Sequence, residues 1–303
     1  MSYLDLIDGI LRGGVHALGG SFAELQRGWL ECRQQPDGGF AGRRSGSDPY
    51  YTDFALRGLD LLITDSPIFE SAARHLRDSA REPTDLIEVF SLLSCARTLR
   101  RHGVSFIAHQ RAGRRLLDDR ILPDGGFCNA GGEQLSAYHS FLGTLCLQML
   151  GEASGLQDTS RAVGGLQRDS GGFAERETEH TAQTNATCAA IALLLMGDAF
   201  EPARGERAAR FLVDMQSANG GIRAHPTAAG GDLLSSFTGL LTLCLLGAQH
   251  QLDLPALARF IRGAARPGGG FSSGPVDAAA DVEYTYYGIA SLGLMRSLLE
   301  DAD

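Results

Sequence analysis

The 303-residue chain contains no lysine, and all 27 of its basic residues are arginine. That absence excludes a P-loop, whose lysine reaches the phosphates of a nucleotide. Six cysteines, at 32, 95, 128, 146, 188 and 244, form no Cys-x-x-Cys pair. They read as reduced, packed thiols of a cytoplasmic protein. No apolar run approaches the ~20 residues of a membrane-spanning helix. The longest, Cys188–Gly197 and Phe237–Ala248, read as buried helices. The opening MSYLDLIDGILRGG lacks the basic-then-apolar order of a signal peptide. Positive charge is in deficit, 27 against 36 acidic residues for a net charge of −9, which argues against a polyanionic partner such as nucleic acid. The short basic clusters Arg43-Arg44 and Arg111–Arg115 read as solvated surface. No His-Glu-x-x-His occurs, and no Pro/Ser-rich linker divides the chain, so residues 1–303 are expected to form one domain.

Glycine is plentiful, 39 residues or about 13% against a usual ~7%, and it is periodic. A Gly-Gly-apolar triplet recurs at Gly38-Gly39-Phe40, Gly125-Gly126-Phe127, Gly171-Gly172-Phe173, Gly220-Gly221-Ile222 and Gly269-Gly270-Phe271. The first glycines are 87, 46, 49 and 49 residues apart, so the long gap hides a unit that lost its triplet, with Arg81–Ile87 near its middle. Six repeats follow, spanning roughly 20–63, 66–100, 105–150, 155–197, 203–247 and 253–298. Each begins with an amphipathic helix such as Ala203–Gln216 or Leu254–Ala265. A glycine turn and a loop of about ten residues come next, ending in a helix-capping residue: Asp48, Asp85, Asp232 or Asp281. The unit closes with a nearly uncharged helix: Thr52–Ile63, Leu86–Leu99, Ser136–Leu150, Thr184–Met196, Ser235–Leu246 or Thr285–Leu298.

Helices apolar on nearly every side must be buried, whereas amphipathic ones face solvent on one side. The pattern predicts an all-α fold of two concentric rings, an α/α toroid or (α/α)6 barrel of six helical hairpins. An open solenoid is the alternative, but it would expose the apolar helices. Residues 1–18 are expected to form a helix docked on the outer wall. Tyr50, Tyr51, Tyr138, Phe237, Tyr284, Tyr286 and Tyr287 gather at the starts of the buried helices. They could line an apolar cavity or simply fill the core. Gly270-Phe-Ser272-Ser-Gly274 matches a nucleophile-elbow pattern but lies in a repeat turn rather than between strand and helix. The sequon Asn185-Ala-Thr187 falls in a buried helix.

The triplet, the loop and the Asp-x-x-Tyr-Thr helix start together resemble the repeat of the prenyltransferase/squalene-cyclase superfamily, over about residues 20–298. Within it the nearest likeness is to the β subunit of the type II protein geranylgeranyltransferase. The resemblance implies a prenyltransferase-like protein that binds an isoprenoid diphosphate, with a helical α-subunit-like partner. His180 and Gln183, in Glu177-Thr-Glu-His180-Thr-Ala-Gln183, match the family's diphosphate-binding helix start, with Glu177 displaced by one place. In the next unit His225 stands at the family's diphosphate-binding Arg position and Ala228 is close to its Lys position, and Arg223 and His225 are expected near the diphosphate. Tyr51, Phe237 and Tyr284 would meet the prenyl tail. Of the family's zinc ligands only Asp232 is kept; the Cys position is Leu234 and the His position is Tyr284. With one carboxylate left of about three ligands, zinc-assisted thiol alkylation in the usual form is not expected, and Asp232 reads equally as a helix cap. The Asp-x-Asp-Asp acid motif of the superfamily's class II terpene cyclases is absent, so a cyclase reading needs a different acid. A non-catalytic binding or scaffold toroid is the third alternative.

Overall fold

The computed structural model describes residues 2–43, 46–62, 66–79, 81–107, 110–129, 132–152 and 155–300. Ile63 and Arg44, both part of the sequence reading, lie outside the described residues. The described residues contain thirteen α-helices and no extended strand, only isolated bridges. After α1 (Tyr3–His16) they alternate as the repeat requires. The first helices of the modules are α2 (Gly20–Glu31), α4 (Pro67–Asp78), α6 (Gln110–Asp118), α8 (Leu156–Gly164), α10 (Pro202–Asp214) and α12 (Leu254–Ala264). The second helices are α3 (Pro49–Leu62), α5 (Leu86–Arg101), α7 (Ala137–Met149), α9 (Thr184–Met196), α11 (Leu233–Leu245) and α13 (Val282–Glu300).

Each glycine turn is built by the same set of contacts. The residue six places before the triplet's apolar residue bridges to it, as in Gln167 with Phe173 and Gln216 with Ile222. Gly171 and Gly220 take φ of +92° and +91°, open only to glycine at low cost. A Cβ at either would lie 2.4 Å from a carbonyl oxygen of the next module's first helix, that of Arg207 or Ala256. The apolar residue's buried N–H donates to a hydroxyl on the second helix: Phe40 to Thr52, Phe127 to Ser140, Phe173 to Thr187, Ile222 to Ser236 and Phe271 to Thr285, at 2.8–3.1 Å. Module two has lost both halves of this device. It lacks the triplet, and Val89 stands four residues after its cap Asp85, where the other five carry Ser or Thr.

The second helices start on the predicted caps. Asp48, Asp85, Asp232 and Asp281 each accept from a backbone N–H three residues on, at 2.8–2.9 Å. Ser136 caps α7 in the same way.

The chain forms two compact units, residues 1–113 with 261–303, and residues 114–260. In the first, α3 packs between α5 and α13, so the first and last modules meet. In the second, α9 packs between α7 and α11, and Thr184 to Leu194 is buried almost without interruption. Asn185 of the sequon accepts from Thr238 of α11 at 2.7 Å. The elbow-like Ser272 is fully buried and held by Arg266 and the Gly274 carbonyl.

The sequence placed residues 1–18 on the wall of first helices. Instead α1 packs on the second helices α13 and α3. Gly14 meets the backbone of Gly293, where a Cβ would sit 1.9 Å from its carbonyl oxygen. Opposite charges fix the rest: Asp5 and Asp8 pair with Arg97 at 2.6 Å each, Asp8 also pairs with Arg101 at 2.6 Å, and Arg12 pairs with Asp60 at 2.5 Å.

Candidate functional site

In the first unit the starts of α3 and α13 bring six aromatic rings together. Tyr50 meets Tyr51 and Phe54 at centroid distances of 5.2 and 5.0 Å, and Phe54 meets Tyr286 and Tyr287 at 5.7 and 5.3 Å. Tyr284 lies 6.5 Å from Tyr287. Most of these pairs are edge-on, the arrangement favoured by ring quadrupoles. The caps place them: Asp48 and Asp281 fix the first turns, from which Tyr51 and Tyr284 project at equivalent positions.

The surround is acidic. Glu283 accepts from the Tyr50 hydroxyl at 2.9 Å. Burial raises the carboxyls of Glu283, Asp48 and Asp281 above their ordinary range. Arg43 reaches across from the first module to the last. It pairs with Asp277 at 2.5 Å and Asp281 at 2.9 Å, and lies 5.8 Å over the Tyr284 ring. Its hydrogen bonds hold the Asp277 carboxyl well below the usual carboxylate range.

One turn further along α3 is a group the sequence reading missed. Asp53 is 1% exposed, and its Oδ1 has no hydrogen-bond partner. Burial pushes its carboxyl up to about 6, against the opposing pull of Arg57, whose guanidinium nitrogen is 3.8 Å away. Arg57 donates to the Tyr286 hydroxyl and lies 4.2 Å over a Tyr286 ring. Counting five residues from each cap, the other modules place Phe90, Phe141, Cys188, Phe237 and Tyr286 where the first places Asp53. That register was the available signal: a carboxylate at a position otherwise aromatic or thiol.

The second unit carries the remaining expected residues. His180 is exposed on the loop before α9. Gln183 donates to Glu179 Oε2 at 3.0 Å. Arg223 spends its guanidinium on three backbone carbonyls, those of Met215, Pro226 and Asp214, at 2.8–3.3 Å. His225 is exposed, its Nδ1 3.0 Å from the Thr227 hydroxyl. Phe237 is buried within α11. Asp232 commits Oδ1 to the Ser235 N–H and Oδ2 to the Ser235 hydroxyl, both at 2.8 Å. Leu234 offers no metal donor, and Tyr284 stands where an imidazole is required. These residues do not fit a zinc ion. Among the described residues no three His, Cys, Asp or Glu side chains form a metal-holding group.

Thirteen described helices in repeated hairpins, with the second helix of each pair buried, define the class: an all-α hairpin-repeat protein. The sequence profile described as the prenyltransferase alpha-alpha toroid domain matches residues 20–81, 86–164 and 154–303. The chain therefore belongs to that family, and its fold is the α/α toroid. A search of curated proteins finds no match. Solved structures are similar in fold at low identity. Protein geranylgeranyltransferase-I of Candida albicans, complexed with GGPP, has a TM-score of 0.67 at 13% identity over 90% of both chains. The type II terpene cyclase MstE from Scytonema, in complex with geranylgeranyl dihydroxybenzoate, gives 0.59 at 13% identity over 99% of both. An alpha-1,6-mannanase of Salegentibacter sp. HEL1_6, in complex with alpha-1,6-mannotetrose, gives 0.64 at 14% over 92% of this chain and 99% of that one. One architecture thus hosts unrelated substrates, and function has to be argued from side chains. No described helix is long and apolar enough to cross a membrane.

Proposed function

We propose that the protein binds an isoprenoid, with the prenyl tail against the rings at the starts of α3 and α13, and that it is prenyltransferase-like without a zinc site of the family's form. The observation that carries this is the cluster of Tyr50, Tyr51, Phe54, Tyr284, Tyr286 and Tyr287. Tyr50, Tyr51 and Tyr284 are half-buried and stand before the buried rings of Phe54, Tyr286 and Tyr287, an aromatic patch suited to a polyprene and to positive charge developing on an allylic carbon. Within residues 114–260, and independently of the tail site, His180, Gln183, Arg223 and His225 are proposed as contacts for a diphosphate group, Arg223 having first to give up the backbone carbonyls that hold it. The same reading carries a helical partner subunit.

Calorimetry with geranylgeranyl and farnesyl diphosphate tests the proposal. Micromolar binding that is lost in Tyr284→Ala supports the tail site, and loss in His180→Ala supports the head-group set. No heat at hundreds of micromolar ligand overturns the reading.

Asp53 favours a second reading, a terpene-cyclase-like enzyme with a non-standard acid. A buried carboxyl with a raised pKa and an oxygen without a hydrogen-bond partner is protonated more readily than an ordinary aspartate, the property needed of an acid that delivers a proton to an alkene carbon. Cyclic products from geranylgeranyl diphosphate that vanish in Asp53→Asn would select it over transfer. In the absence of both binding and product, a scaffold role is the remaining reading.

A further inference from the structure

Among the described helices α1 stands outside the repeat, and it is held by different means along its length. Its second half is packed: Leu11 and Val15 are buried, and Gly14 lies against Gly293. Its first half buries Ile7 alone and is otherwise held by charge. Arg97 of α5 donates from one guanidinium nitrogen to Asp8 Oδ2 and from the other to Asp5 Oδ1, at 2.6 Å each. Arg101 donates to the same Asp8 oxygen at 2.6 Å. Gly9 stands between the two halves. It is exposed, and a Cβ there would meet nothing within 4 Å. Packing therefore does not ask for glycine at this place, and glycine weakens a helix interior.

The arginines beneath the first half are not required by the repeat. Nine residues after the cap, where the first module has Arg57, the others carry Ser94, Leu145, Ala192, Leu241 and Ala290. Twelve after the cap, where the second module has Arg97, the others carry Asp60, Gln148, Leu195, Cys244 and Gly293. The Arg97 side chain is 13% exposed, and its two ion pairs among the described residues are both to α1. Burial alone would raise the Asp8 carboxyl, yet Arg97, Arg101 and Arg57 together hold it below its ordinary range. Arg57 also lies 4.2 Å over the Tyr286 ring and donates to its hydroxyl. The three guanidiniums thus adjoin the aromatic cluster inside one compact unit.

We propose that Arg57, Arg97 and Arg101 form a site for the diphosphate of an isoprenoid whose tail lies on the rings of α3 and α13, and that Asp5 and Asp8 fill this site until α1 gives way at Gly9. The proposal rests on the isoprenoid reading for the tail, and its head-group site is separate from the His180 set. The planar fork of a guanidinium accepts carboxylate and phosphate oxygens alike, so a carboxylate of the chain can stand in for a phosphate. With the first half of α1 lifted, Asp60 stays with Arg101 and His102, and Asp53 stays 3.8 Å from Arg57. Arg97 is then left without an anion. Three guanidiniums against two carboxyls favour a ligand bearing several negative charges. Its apparent affinity is lowered by the fraction of chains that remain closed.

Hydrogen exchange on the wild-type chain tests the displacement without any variant. Saturating geranylgeranyl diphosphate should speed exchange of the Ile7–Ile10 amides while Leu11–His16 stays protected. Unchanged or slower exchange at Ile7–Ile10 with the ligand bound overturns the proposal. Calorimetry tests the site. Asp5→Asn combined with Asp8→Asn removes both carboxylates and keeps the packed residues of α1. Geranylgeranyl diphosphate should then bind about tenfold tighter than to the wild type, and inorganic diphosphate should gain likewise. Adding Arg97→Gln should abolish the gain, and Gly9→Ala alone should weaken binding. Equal affinity in the wild type and the paired variant, or a gain that survives Arg97→Gln, overturns the site. Inorganic diphosphate bound by the paired variant, with geranylgeranyl diphosphate bound by neither form, keeps the anion site and overturns the isoprenoid reading. Geranylgeranyl diphosphate bound equally by both forms, with α1 exchange unchanged, does the reverse.

Discussion

The two units of the chain solve the same packing problem with different interiors. In residues 114–260 the buried second helices are almost wholly aliphatic or hydroxyl-bearing, as in α9, where Thr187 accepts from the Phe173 N–H of the glycine turn and donates to the Gln183 carbonyl, and Thr184 donates to the Arg223 carbonyl of the next module's loop. In residues 1–113 with 261–303 the interior is charged. Asp60, 3% exposed, gathers Arg12, Arg101 and His102, and Asp53 and Arg57 lie among aromatic rings. Since the aliphatic version is sufficient for the hairpin repeat, the charges of the first unit are there for something else. Part of that is docking α1. Asp53 belongs to no such docking pair.

The comparison can be broken most severely at Asp60. Asp60→Ala leaves Arg12, Arg101 and His102 without their shared counter-charge. A loss of about 3–5 kcal/mol is expected, read by urea unfolding, with α1 becoming protease-sensitive first.

Asp53 should act in the opposite direction. Its carboxyl is raised to about 6 from an ordinary 3.8, so the folded state holds a proton that the unfolded chain has already lost. Stability is then full below about pH 4 and falls as pH rises toward 6, by about 3 kcal/mol for a shift of this size. Asp53→Asn should flatten that slope and raise the melting temperature at pH 7. A variant no more stable at pH 7 than at pH 4.5, relative to wild type, contradicts the assignment.

In the second unit, Thr187→Val imposes on module four the aliphatic residue that module two already carries at Val89. It strands the Phe173 N–H, and a cost of about 1–3 kcal/mol is expected. The double change that also removes the triplet should cost less than the sum of its parts, because hydroxyl and turn act as one device. The smallest effect is expected from Asp232→Ala, about 1 kcal/mol from the lost cap. Zinc content should not change with it. A variant that sheds a stoichiometric metal would show that Asp232 does more than cap.

The hairpin plan was legible because its signals are local or strictly periodic. Gly-Gly triplets mark five of the six modules and Asp caps four, nearly uncharged second helices carry the period through the rest, and the predicted Thr184–Met196 coincides with α9. The aromatic gathering at Tyr51 and Tyr284 was legible for the same reason, since both sit three residues after a cap. The rest depends on partners far apart in sequence. Arg57 meets Tyr286 across 229 residues, and Ser136 meets Glu175 across 39. Asp53 looks like an ordinary polar residue on a helix until the register between modules is laid out. The placement of α1 failed because its amphipathic pattern matches either kind of neighbour. Only the Gly14–Gly293 approach decides between them.

Trp29 and Leu25 of α2 close over Gly269 and Gly270, while Arg43 clasps Asp277 and Asp281. A ribosome makes the first half of this joint more than two hundred residues before the second. Throughout synthesis the nascent helix offers an uncovered tryptophan and an unneutralised arginine to the cell. The module of α12 and α13 therefore completes the first unit, and a chain truncated within it should lose that unit's packing rather than one hairpin.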